Sequence, residues 1–145
     1  MLRLILPVRA LAEDRAPDVE EALGPWMKVV NASLDACLVV DEQARIAAVS
    51  SRAADLIGEP ADGIVDRALV DDVLHIVDFT HAAAPGDDYD RRIAPIAALR
   101  DDHLSRGLLR VMRPAGDLIT LDAIAAPIHD ERGRIVGSIT FFAAL

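Results

Sequence analysis

The carboxy-terminal part of the chain carries its clearest pattern, SRGLLRVMRPAGDLITLDAIAAPIHDERGRIVGSITFF, at residues 105 to 142. Three β-like runs, 105–113, 118–128 and 134–142, are separated by two polar turns, PAGD and DERG. Asp at the first position and Gly at the fourth position of the second turn are typical of a reverse turn. In the last run Ile, Gly, Ile and Phe recur at every second position, as in a strand with one apolar face. The pattern predicts three antiparallel strands that close the fold.

The middle of the chain predicts a hairpin followed by short helices. Two apolar runs at 37–40 and 46–49 flank a polar turn, which is typical of a β-hairpin. Ser50 or Ser51 is placed to cap a short helix that Gly58 ends. Apolar residues at helical spacing predict a helix from Asp66 to about Phe79 and another from Pro95 to Asp102.

The amino-terminal residues are predicted to precede the domain proper. Residues 1–24 form a leader that contains a short helix from Asp18 to Leu23, and Gly24-Pro25 is predicted to break the chain. A second helix begins at Pro25, so the domain is predicted to span 25–145. The order of elements predicts an α+β domain with a five-stranded antiparallel sheet whose short helices pack on one face.

Composition excludes several classes of function. The 145 residues suit one domain, and 52% hydrophobic with 27% charged residues suits a globular protein. A formal net charge of −9 argues against nucleic acid and against anionic membranes as partners. No apolar run approaches the roughly 20 residues of a membrane span. The single cysteine cannot form an internal disulfide, so we expect a cytoplasmic protein.

Three segments resemble the PAS domain, a sensory module found in many bacterial signalling proteins. They are SLDACLVVD at 33–41, SRAADLIG at 51–58, and RPAGD at 113–117 followed by APIHDERGRIVG at 126–137. The resemblance extends from about Trp26 to Phe142. It implies a PAS-like fold and a role in signal transduction, including the regulation of transcription, without catalytic activity. It also implies an output domain or partner protein.

The resemblance further implies a pocket for a small ligand between the sheet and the short helices. The candidate lining residues are Val39, Leu56, Leu74, Leu109, Val111 and Ile124. The alternative is that these side chains form an ordinary core, because apolar stripes usually reflect packing. In that case the chain is a ligand-free protein–protein interaction domain with a filled core.

The identity of any ligand stays open, but known PAS cofactors have few suitable residues here. The flavin-binding branch of the family requires a cysteine in a particular helix and several amide side chains. Cys37 lies in a different segment, and Asn31 and Gln43 are the only amides, so we expect no flavin. Haem-binding members use an axial histidine, but His75, His81 and His103 are isolated and we expect no haem either.

Other candidate sites have simpler interpretations. The acidic residues Asp87, Asp88 and Asp90 lack the ligand spacing of a calcium loop, so no metal site is predicted. Cys37 lies in an apolar run, where a thiol usually packs as a small hydrophobe; a redox sensor would need it exposed. An enzyme with His103 or His129 as base would need a partnered nucleophile, and the sequence contains no such motif.

The leader and the helix that follows it are the predicted dimer interface. The candidate residues are Leu4, Leu6, Leu11, Trp26 and Met27. Aromatic and methionine side chains are enriched at interfaces, and a two-fold dimer uses the same surface of both copies. The sequence therefore predicts a homodimer.

Overall fold

The computed structural model describes residues 16–79 and 93–145. The described elements, in chain order, are α1 (Pro17–Ala32), β1 (Cys37–Asp41), β2 (Ile46–Val49), α2 (Ser51–Ile57), α3 (Ala61–Ile64), β3 (His75–Phe79), α4 (Ala94–Asp101), β4 (Ser105–Met112), β5 (Leu118–His129) and β6 (Ile135–Ala144). None of the described helices is both long and apolar enough to cross a membrane.

The strands form one antiparallel sheet in the order β2-β1-β6-β5-β4-β3. The first strand and the last strand are therefore neighbours in the sheet, and the three carboxy-terminal strands form a meander. In the meander Leu109 pairs with Leu121, and Ile124 pairs with Phe141. The predicted α+β fold with an antiparallel sheet is confirmed, but the sheet has six strands rather than five.

The sixth strand lies where a helix was predicted. Residues 75–79 pair with β4, where His75 opposes Met112 and Ile76 opposes Val111. The residues before it form turns, closed by a bridge between Val70 and Leu74. The helical spacing was misleading because the conformation is set by pairing with a strand that lies about 30 residues further along the chain.

Two hydrophobic clusters lie on opposite faces of the sheet. The inner face packs against α2, α3 and α4, and its cluster includes Leu38, Val40 and Leu109. The outer face packs in part against α1, and its cluster includes Cys37 and Val39. β1 is buried on both faces because its alternate residues contribute to both clusters.

Helix α1 is continuous through the Gly24-Pro25 pair, so the predicted break is wrong. Val19, Leu23 and Val30 lie on one side of this helix and are buried against the outer face. A proline inside a helix removes one backbone hydrogen bond, and here the burial of this apolar side offsets that loss. The predicted boundary between residues 24 and 25 falls within the helix.

Helix α2 begins and ends as predicted. Ser50 Oγ accepts a hydrogen bond from Ala53 N at 3.2 Å and another from Cys37 N at 3.0 Å, so it caps α2 and fixes the start of β1. Gly58 follows the helix with φ of 92°, a left-handed conformation that glycine adopts without strain.

Candidate functional site

Four of the predicted pocket residues lie together beneath the short helices. Leu74, Leu109 and Val111 are fully buried in the inner cluster, and Leu56 of α2 packs against the same cluster while half-buried. These four side chains form part of the interface between the inner face of the sheet and its helices. Whether they enclose a ligand stays a prediction.

The other two predicted pocket residues lie on the outer face. Val39 belongs to the outer cluster beneath α1. Ile124 is 38% exposed and opposes Arg106 on one side and Phe141 on the other. Their assignment to the pocket is corrected for a simple reason: a strand with apolar residues at consecutive positions does not reveal which alternate set faces the helices.

Small side chains cover the inner face where β5 and β6 meet α4. Ala125 of β5 lies beside Thr140 of β6, and Ala123 lies between Phe142 and Gly107. Helix α4 packs against both strands and contributes further alanines, Ala94 and Ala98, to the same cluster. This part of the interior therefore has short side chains on the sheet and on the helix.

Two hydroxyl groups lie on the inner face of β6 and differ in their bonding. Ser138 Oγ donates a hydrogen bond to the carbonyl oxygen of Pro95 at 3.0 Å, which joins β6 to the first turn of α4. Thr140 is fully buried, and its Oγ1 has no hydrogen-bond partner among the described residues. Buried polar groups are nearly always paired, so Thr140 is an exception that needs an explanation.

Thr140 was missed by the sequence analysis, although a signal for it exists. The alternation in the last strand identified an apolar set that includes Ile139 and Phe141. The structure places this set on the outer face, so the alternate positions 138 and 140 face the helices. Two hydroxyl residues at those alternate positions were the available signal.

Arg67 fastens the segment that covers the inner face. Its Nη1 donates to Glu59 Oε1 at 2.7 Å and to the Gly63 carbonyl at 3.0 Å. Its Nη2 donates to Asp72 Oδ1 and to the Asp72 carbonyl, both at 2.9 Å. The hydrogen bond from Arg67 holds the pKa of the Asp72 carboxyl below its ordinary value. The loop after α2 is therefore tied to the turn before β3.

The described histidines are exposed and form no metal cluster. His75 and His103 lie at the surface, and His129 Nε2 lies 2.6 Å from Asp102 Oδ1 at the end of α4. Within residues 16–79 and 93–145, no group of three or more His, Cys, Asp or Glu side chains is arranged to hold a metal ion. His81 and the acidic residues 87–90 lie outside the described residues.

Cys37 is buried in the outer cluster, where it packs among apolar side chains. Its Sγ lies 3.7 Å from the carbonyl oxygen of Asp35. This placement agrees with packing as a small hydrophobe and gives a redox sensor no exposed thiol.

A surface cleft of about 450 Å³ lies between α1 and the β5–β6 turn. Asp18 and Glu21 line one side, and residues 129–132 line the other. Arg134 crosses the neighbouring surface, where its Nη2 pairs with Asp18 at 2.6 Å and with Asp130 at 2.7 Å. The ion pairs join α1 to the turn, so we interpret this region as structural.

Exposed apolar side chains lie on the outer face of the sheet and on α1. This set, here called the outer apolar surface, comprises Trp26, Val29, Met112, Leu118, Ile124 and Phe141. Trp26 is 43% exposed and Phe141 is 36% exposed, whereas Met27 is half-buried against the outer cluster. Of the predicted dimer residues, Leu4, Leu6 and Leu11 lie outside the described residues.

The family model described as PAS fold matches residues 30–145. The chain belongs to the PAS family. The match covers every strand of this PAS domain and the three helices of its inner face, whereas most of α1 precedes it. No curated protein matches the chain.

Solved structures share the fold of this PAS domain at low sequence identity. The PAS domain of a protein from Colwellia psychrerythraea has a TM-score of 0.62 and 20% identity, and the alignment covers 85% of this chain and 96% of that one. The PAS domain of the fruit-fly ELK potassium channel has a TM-score of 0.63 and 14% identity, and the alignment covers 85% of this chain and 96% of that one. The VqmA dimer of Vibrio cholerae, a LuxR-type receptor, has a TM-score of 0.57 and 16% identity, and the alignment covers 83% of this chain and 50% of that one. The family is one of sensory and signalling modules, and this chain is a PAS domain of that kind.

Proposed function

We propose that this PAS domain is the sensory and dimerisation module of a bacterial, cytoplasmic signalling protein. In this proposal two copies associate through the outer apolar surface and α1, and a small ligand on the inner face biases their arrangement. The domain itself is proposed to have no catalytic activity and to bind neither nucleic acid nor membrane. It acts on an output domain or partner protein, including one that regulates transcription.

The outer apolar surface is the observation that carries the proposal. Ile124 and Phe141 are directly opposed on neighbouring strands, and each leaves more than a third of its surface exposed. Trp26 on α1 adds an exposed aromatic ring, the side chain most enriched in interface hot spots. Large exposed apolar patches typically mark interaction sites, and the similar VqmA structure is described as a dimer.

A ligand acts on such a dimer only if it binds two arrangements with different affinity. The sheet provides a physical connection, because the same strands line the inner cluster and the outer apolar surface. β6 contributes Phe142 to the inner cluster and Phe141 to the outer surface. A change in the packing of α4 on β6 therefore reaches the proposed interface through one strand.

A specific observation also favours the ligand-free alternative. Leu74, Leu109 and Val111 are fully buried and pack within one continuous cluster. A filled core with the same outer surface describes a protein–protein interaction domain. The two functions differ in whether the interior holds a small molecule.

A native mass spectrum of the freshly purified chain tests both parts. The expected result is a dimer whose mass exceeds two chains by the mass of a retained small molecule. A dimer without additional mass favours the ligand-free interaction domain. A bare monomer contradicts the proposed dimer.

Matched surface variants then test the interface. Ile124→Lys introduces a charge into the outer apolar surface and is expected to raise the dimer dissociation constant by at least about tenfold. Leu104→Lys is the control, because Leu104 is exposed between α4 and β4 and the charge change is the same. Lysine lowers the net negative charge of the chain, so weaker association cannot come from added net repulsion. Equal dissociation constants for the two variants, measured by analytical ultracentrifugation, contradict this interface.

A further inference from the structure

Thr140 is buried, and its hydroxyl has no hydrogen-bond partner among the described residues. We propose that Thr140 is the polar anchor of the site and that the ligand is a small, uncharged, mostly apolar molecule with one hydrogen-bonding group, such as an alcohol or a ketone. This inference rests on the ligand-binding part of the proposed function.

The position of Thr140 places its side chain on the inner face. Along β6 the residues of the outer cluster, such as Ile139, alternate with Ser138, which bonds to Pro95 of α4. Thr140 follows Ser138 by two residues and pairs with Leu38 and Ala125, both members of the inner cluster. Two residues advance a strand by roughly 6.5 Å, so Thr140 lies one step beyond the contact between Ser138 and α4.

The surroundings of Thr140 have short side chains. Ala125 lies beside it on the sheet, and Ala94 and Ala98 of α4 belong to the same cluster. Alanines alone allow a helix to pack closely on a sheet. The buried hydroxyl is the independent observation that points to a bound group, because a close-packed apolar contact leaves it without a partner.

The other fully buried polar residues have partners. Arg45 Nε is the second buried polar atom without a hydrogen bond among the described residues, but it lies 3.7 Å from Asp41 Oδ2 in an ion pair. Asp41 Oδ1 accepts from Gln43 N at 2.9 Å and from Arg45 N at 3.0 Å. Ser50 caps α2, and Ser138 bonds to Pro95. Within the described residues, Thr140 is therefore the buried polar or charged residue whose side-chain oxygen is left for a ligand.

The class of ligand follows from this inventory. Among the described residues, the inner cluster is apolar and the hydroxyls of Ser138 and Thr140 beside it on β6 carry no charge, so a charged ligand would lose its hydration without a counter-charge from them. A single hydroxyl satisfies one polar group, so further polar groups on the ligand would be left unpaired. A water molecule needs two to four polar partners, and Thr140 supplies one of them. An uncharged molecule with one hydroxyl or carbonyl satisfies all three conditions.

Cyclohexanol and methylcyclohexane test the inference, because they have similar volumes and differ in the hydroxyl. Binding of each probe to the full chain is measured by two-dimensional amide NMR titration. The ratio of the methylcyclohexane dissociation constant to the cyclohexanol dissociation constant is expected to be about tenfold larger for the wild-type chain than for Thr140→Val, because only the wild type offers the alcohol a hydrogen bond. The largest shifts are expected at Ala125 and Thr140.

Substitutions separate the hydroxyl from the shape of the site. Thr140→Val keeps the branched shape and is expected to lose this tenfold factor, whereas Thr140→Ser keeps the hydroxyl and the wild-type ratio. Ser138→Ala is the control, because its hydroxyl is committed to Pro95. Without any probe, Thr140→Val is expected to have a higher melting temperature than wild type, since it removes an unpaired buried hydroxyl.

Three results would overturn the inference. They are a ratio in Thr140→Val equal to that of wild type, a lower melting temperature of that variant, and a ratio in Thr140→Ser about tenfold smaller than that of wild type. The last result tests the inference even if the Thr140→Val chain does not fold. If neither probe binds, the inference about Thr140 fails, while the native mass spectrum decides separately whether the chain retains a small molecule.

Discussion

Gly137 lies on β6 where β1 and α1 both approach it closely. A Cβ atom at this position would lie 2.3 Å from the carbonyl oxygen of Val40 and 2.8 Å from Cδ2 of Leu23. The Val40 contact involves the backbone of β1, which cannot move without disturbing its pairing with β6. Gly137→Ala is therefore expected to lower the free energy of unfolding by about 1–3 kcal/mol or more.

Gly24 provides the matched control for that prediction. It lies inside α1, and a Cβ atom there would meet no heavy atom within 4 Å apart from its two chain neighbours and the nearby backbone of the helix itself. Gly24→Ala is expected to change the free energy of unfolding by less than about 1 kcal/mol, because the helix preference of alanine is opposed by the clash between its Cβ atom and the ring of Pro25, which follows it. Urea denaturation of both variants measures the difference. A stable Gly137→Ala variant would contradict the close approach of β6 to β1.

Single residues were predictable where local chemistry decides their role. Gly58 was identified as a helix cap and the amino-terminal cap was narrowed to Ser50 or Ser51, because capping depends on a few neighbouring residues. Val39 and Thr140 could not be placed, since their environment depends on which face of the sheet each helix covers. That choice is made by contacts between distant parts of the chain.

The β5–β6 turn is held by a carboxylate and joined to α1. Asp130 Oδ1 accepts from the backbone N of Arg132 at 2.8 Å and of Arg134 at 3.0 Å, and its Oδ2 accepts from Arg134 Nε at 2.8 Å. These hydrogen bonds hold the pKa of the Asp130 carboxyl below its ordinary value, and the bond from the Arg134 backbone N–H contributes most. Arg134 also pairs with Asp18 of α1.

This turn predicts a specific pH dependence of stability. A carboxyl with a lowered pKa in the folded state contributes stability above its unfolded pKa of about 3.9, and this is lost as the pH falls through the folded value. Asp130→Asn is expected to be less stable than wild type at pH 7, with a difference that shrinks below about pH 4. Glu131→Gln removes the same charge from an exposed side chain in the same turn, and its stability is expected to match that of wild type across the pH range. Urea midpoints measured across this pH range check the prediction, and a constant difference would contradict it.

Elements with strong local patterns were predicted well. The carboxy-terminal meander has alternating apolar residues and turns rich in Gly and Asp, and all three strands lie within two residues of their predicted ends. The predictions for the segment that contains β3 and for the proline-containing α1 were wrong. In both, tertiary contacts override the local signal, through pairing with β4 in one case and burial on the outer face in the other.

The whole molecule is organised around a sheet that is covered unequally. The inner face is covered by helices from three segments, whereas α1 covers the outer face only in part. Overall composition could not reveal this, because it does not distinguish an apolar residue under a helix from one left exposed. Ile139 beneath α1 and Phe141 in the outer apolar surface are two residues apart on the same strand.

The proposed dimer brings together two copies that each carry a formal net charge of −9. Long-range repulsion opposes their association, while apolar contacts between the outer surfaces favour it. Salt screens charges that lie more than a Debye length apart, and this length falls from roughly 20 Å at about 20 mM to roughly 4 Å at about 500 mM. The dimer dissociation constant is therefore expected to fall, on the order of tenfold, as NaCl is raised over this range. Sedimentation equilibrium measures it, with Leu104→Lys as a control whose smaller net charge weakens the salt effect. A dissociation constant that rises with salt would mean that ion pairs hold the two copies together instead of apolar contacts.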